Sequence, residues 1–69
     1  MTTYKQASRH LRILSALQSI ILPATAGSVD PASVLQDIAV LTVQQAEDVL
    51  AEWKLFMPEI AGVCQQHGV

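Results

Sequence analysis

The sequence predicts an all-α fold: a small bundle or orthogonal array of three to four short helices, completed by dimerisation. Three observations carry that prediction. Apolar residues recur at helical spacing along most of the chain. Two stretches, Asp30-Pro31 and Thr42 with Gln45, have the chemistry of helix starts. Only three glycines and three prolines interrupt 69 residues that are 51% hydrophobic, which describes a folded chain rather than a disordered one. A chain of this length holds a single helical domain, residues 1–69, and buries only about 60% of the surface its unfolded form exposes. One cysteine, Cys64, rules out an internal disulfide. Stability must therefore come from packed helices or from a second copy.

The first helix is predicted from about Thr3 to Leu22. At about 100° per residue, Lys5, Ser8, Arg9, Arg12, Ser15 and Ser19 gather on one side. Tyr4, Ala7, Leu11, Ile13, Leu14, Leu17, Ile20 and Ile21 fill the other. Pro23 and Gly27 supply the stop. The apolar arc spans roughly 200°, twice the ~100° stripe that a surface helix needs. Ile13, Leu17 and Ile20 on that arc are accordingly the expected dimer interface.

The second helix is predicted from Pro31 to Val40. Asp30 is suited to the N-cap, Pro31 to the first helical position, and Val29 with Val34 to a hydrophobic staple. Val34, Leu35, Ile38 and Leu41 should face inward. A capping box, Thr42 with Gln45, then starts a third helix at Val43, and Val43, Ala46, Val49, Leu50, Trp53 and Met57 share its inner face up to Pro58. Ile60, Val63, Cys64 and His67 form the face of a last short helix ending at Gly68.

Residues 1–26 also have the layout of an export signal: the bases Lys5, Arg9 and Arg12, an apolar run from Ile13 to Leu22, then Pro23 and Ala24-Thr25-Ala26. Ser15, Gln18 and Ser19 interrupt the run, however, so the stretch is two-sided. Its removal would leave residues 27–69, near the size at which a domain needs a disulfide or metal. The stretch therefore reads as a structural helix of a free-standing cytoplasmic polypeptide. No apolar run reaches the roughly 18 residues of a membrane span.

Chemical sites are few. Cys64 and His67 share a helical face, but a zinc site needs about four ligands and a nucleophile pair needs an orienting group. An inert, buried Cys64 is expected, and His10 is expected to be a hydrogen-bonded residue at the core margin. No phosphate-binding glycine loop, calcium loop or paired-cysteine motif is present. The chain is thus expected to be neither an enzyme nor a cofactor carrier, with no catalytic, cofactor or metal residues.

What remains is recognition of a larger macromolecule, as a small regulator, inhibitor or adaptor acting as a homodimer. Leu55 lies opposite Trp53, and Phe56 sits at the edge of the buried stripe, so Trp53, Leu55 and Phe56 are the candidate anchors. The basic stripe Lys5, Arg9 and Arg12 is the candidate for a charged contact. Net charge is −2, and residues 23–69 hold all six acids against a single base, Lys54. The alternative is a nucleic-acid-binding regulator, since Gln36 to Leu50 faintly resembles a helix-turn-helix. Glu47, Asp48 and Glu52 on its second helix would oppose DNA phosphates.

Overall fold

The computed structural model describes residues 4–69, with side chains described from Ser8 onward. These residues form four α-helices and a 3-10 turn, with no strand among them. The elements are α1 (Tyr4–Ala24), α2 (Pro31–Ala39), α3 (Val43–Phe56), the turn Pro58–Ile60, and α4 (Ala61–Gln66). The all-α class is thus confirmed. Thr3, the expected helix start, lies outside the described residues.

Helix α1 is the wall on which the others assemble, since α2, α3 and α4 each pack against it. Its inner face is Ile13, Ala16, Leu17 and Ile20, all buried. Val34 and Ile38 from α2, Ala46 and Leu50 from α3, Ile60 from the turn and Cys64 from α4 close over it. Each aliphatic side chain so buried contributes about 1.5–3 kcal/mol. Ile13, Leu17 and Ile20 are therefore the core of one chain, and the expectation that they form a dimer interface is corrected. Helical periodicity sets the width of the arc but not which part the other helices cover. The uncovered part is centred on Leu11, which is 65% exposed.

The connections follow from local chemistry. Helix α1 runs two residues past the expected stop, because Pro23 falls in its last turn and removes only one hydrogen bond there. Helical bonding continues through the Thr25 N–H, which donates to the Ile21 carbonyl at 2.9 Å. Gly27, at φ +83°, then turns the chain. Pro31 opens α2 as expected, but Asp30 makes no side-chain cap bond; the extended Asp30 backbone and the proline suffice. Val29 stays 46% exposed while Val34 is buried, so the expected staple buries little on its outer side. Leu35 was expected inward and is 38% exposed.

Helix α2 runs back along α1, because His10 Nε2 meets the Leu41 carbonyl at 2.9 Å. That contact also makes His10 the hydrogen-bonded margin residue the sequence suggests. The capping box of α3 is complete: Thr42 Oγ1 accepts from the Gln45 N–H at 3.1 Å, and Gln45 Oε1 accepts from the Thr42 N–H at 3.0 Å. Met57 adopts φ −134° and ψ 83°, the extended backbone that a following proline demands, and α3 ends there. Helix α4 ends in a Schellman motif. Gly68, at φ +75°, donates its N–H to the Gln65 carbonyl, and the Val69 N–H reaches the Cys64 carbonyl at 2.9 Å.

Candidate functional site

The capping box sets the phase of α3, and that phase sorts its side chains into three directions. Ala46 and Leu50 point into the core, with Val43, Val49, Trp53 and Met57 half-buried beside them. Gln44, Asp48, Ala51 and Leu55 point straight out. The two flanks then differ in chemistry.

On one flank, Arg9 Nη2 and Nε both reach Glu47 Oε1, at 2.9 and 3.0 Å. This ion pair ties α1 to the start of α3. Lys54 and Leu50 lie on the same side, where they line a shallow depression with Arg9, Glu47 and Val69. On the other flank Glu52, Trp53 and Phe56 line a depression of about 300 Å³. Trp53 packs against the core, whereas Phe56 and Leu55 are each 86% exposed.

The candidate anchors thus share the last turns of α3 but only two of them line the depression. Trp53 and Phe56 make the walls of one depression, and Leu55 projects beside it on the outermost line of the helix. Two aromatic side chains and a bare leucine thus stand close together at the end of α3. Trp53 serves both roles, half in the core and half in the depression.

Of the expected basic stripe, Arg9 and Arg12 are described, and each has a partner within the chain. Arg9 pairs with Glu47, a partner 38 residues away. Arg12 donates from Nε to the Ser8 carbonyl at 3.3 Å. A β-carbon added to Gly68 would stand 3.2 Å from Arg12 Nη1, which places that guanidinium over the C-terminal end of α4. Its charge there complements the helix's negative end. Lys5 lies outside the residues whose side chains are described.

The other candidate groups have structural partners. Cys64 is buried, and His67 Nε2 lies 3.2 Å from Ser19 Oγ, so the two do not face a common ligand. Among the described residues no three His, Cys, Asp or Glu side chains converge. In the helix-turn-helix comparison, α3 would present Gln44, Asp48 and Glu52 outward, while Gln45 is occupied by its cap. Among the described residues no helix is long and apolar enough to cross a membrane. The chain matches no protein-family model, no curated protein and no solved structure.

Proposed function

We propose that this protein is a small interaction module that regulates or adapts a larger protein by occupying one of its surfaces, using the C-terminal turns of α3. The observation that carries the reading is the exposure of Leu55 and Phe56, 86% each, beside a half-buried Trp53. Large apolar side chains scattered singly are ordinary, but two adjacent ones flanking an aromatic depression mark a contact surface. Burying both would contribute about 3–6 kcal/mol. Association itself costs about 4–15 kcal/mol. The pair therefore anchors a complex whose remaining contacts the partner must supply, which suits a larger partner.

The same reading has the protein self-associate, now through the outer face of α1. Leu11, Leu14, Gln18 and Ile21 follow the alternating three- and four-residue spacing of a coiled-coil seam. Leu11 is 65% exposed, Gln18 is half-buried, and Leu14 and Ile21 pack against the margin of the core with part of their surface bare, so this seam borders the core on its open side. We place the molecule in the cytoplasm because residues 12–24 serve as the wall of its folded core. The nucleic-acid alternative gains no support: the outward line of α3 is acidic and Arg9 is already paired.

Two experiments test the reading. Sedimentation velocity up to high micromolar concentration should show a dimer that Leu11→Asp converts to a monomer; a monomeric wild type removes the homodimer. Affinity capture from the native host should recover a partner with the wild type and lose it with Leu55→Asp/Phe56→Asp, while the circular dichroism stays helical. Equal recovery by both forms overturns the assignment of the surface.

A further inference from the structure

We infer that the depression on the flank of α3 receives a cationic side chain, a guanidinium or ammonium group presented by a basic segment of the partner. This inference rests on the proposed interaction role and identifies the chemistry of what docks. Glu52, Trp53 and Phe56 line the depression. Glu52 and Phe56 are one turn apart and Trp53 and Phe56 three residues apart, the spacings at which helical side chains are neighbours. The site therefore sets two aromatic rings, whose π-faces carry negative charge density, next to a carboxylate. That combination attracts a cation twice, through the rings and through the ion pair.

Among the described residues no cation of the chain itself occupies this place. Among the described residues the one ion pair is Arg9–Glu47, which leaves Glu52 without a basic partner. Lys54, the only base on α3, lies on the opposite flank among Arg9, Glu47 and Val69. Asp48, one turn before Glu52, adds a second exposed carboxylate to the outward side.

Charge then selects among occupants. A purely apolar segment would strip water from Glu52 and give it no partner, which is costly. An acidic segment would be repelled by Glu52 and Asp48. A segment with an arginine or lysine between apolar residues satisfies all three lining residues and covers Leu55 as well.

Trp53 is the sole tryptophan, so its emission reports directly on the site. The test titrates the full chain with a synthetic amphipathic Leu/Arg peptide and with its Leu/citrulline counterpart, which keeps the shape and removes the charge. The expected result is a saturable change in Trp53 emission, with the citrulline peptide about tenfold weaker or more. Glu52→Gln should weaken the arginine peptide about fivefold or more and Phe56→Ala should abolish the change, while Asp37→Asn on α2 leaves it unaltered. Equal affinity for the two peptides overturns the cationic occupant, though the surface would still dock apolar chemistry. Equal weakening by Asp37→Asn and Glu52→Gln overturns it too, because bulk attraction then accounts for the binding. No emission change with either peptide likewise overturns it, and the capture experiment above then decides separately whether α3 is a docking surface at all.

Discussion

Leu17 and Leu55 are the same residue type, each inside a helix, and the structure assigns them opposite consequences when either is cut to alanine. Leu17 is fully buried, at 0% exposure, between Ile13, Ile20 and the helices that close over α1. Leu17→Ala removes its transfer free energy and leaves a cavity, a combined cost of about 2.7–5 kcal/mol. A 69-residue domain has only about 3.5–10 kcal/mol of total stability. The substitution therefore removes about a quarter of it or more and brings the chain toward unfolding. Leu55 is 86% exposed, so Leu55→Ala should change stability by less than about 0.5 kcal/mol. Urea unfolding followed by circular dichroism and by Trp53 emission measures both, at two protein concentrations tenfold apart. If Leu17→Ala costs under about 1 kcal/mol, Leu17 is not a core residue of the single chain and the packing described here fails. If Leu55→Ala costs over about 2 kcal/mol, its side chain is covered in solution and cannot anchor a partner in the isolated protein.

Three further outcomes follow from local geometry. Thr42→Ala removes the hydroxyl that caps the Gln45 N–H and should cost about 1 kcal/mol by thermal unfolding, with a smaller loss for Gln45→Ala. A double-mutant cycle of Arg9→Ala with Glu47→Ala should return a coupling of about 0–1 kcal/mol that shrinks in high salt, because the two side chains are 62% and 41% exposed. Alanine at the two glycines near the C-terminus should act with opposite signs. Gly68→Ala strains a φ of +75° and meets Arg12, costing about 1–2 kcal/mol, whereas Gly62→Ala meets nothing within 4 Å inside α4 and should add about 0.5–1 kcal/mol, both read from denaturation midpoints.

The features legible in the sequence are those encoded within a few residues. Thr42 and Gln45 are three positions apart, and their reciprocal bonds form as the motif requires. Met57 precedes Pro58, and its extended backbone ends α3 there. Gly68 marks the end of α4 because only a left-handed residue completes the Schellman bonds. What periodicity leaves open is the side of a broad apolar arc that other elements reach. Ile13, Leu17, Ile20 and Leu11 all lie on the apolar side of α1, yet three are core and one is bare. The choice depends on contacts across long separations: Arg9 with Glu47, His10 with Leu41 and Ser19 with His67. None of these pairs has a spacing signature. The same holds for the candidate site. The exposure of Leu55 follows from its position opposite Trp53, but the separation of Lys54 from Glu52 acquires meaning only once Arg9 and Glu47 occupy the Lys54 flank.

Helix α1 touches every other helix, and this arrangement governs how the molecule comes apart. A fluctuation that lifts α4 or α2 alone exposes a few side chains and leaves the remainder standing. Releasing α1 strips the lining from all of its neighbours at once, so its central amides around Leu17 should exchange with solvent deuterium only when the whole molecule opens. Residues 27–69 without that spine keep the packing of α3 and α4 against the turn between them but lose the face over which all three helices close, so a chain cut before Gly27 should be far less stable than the whole.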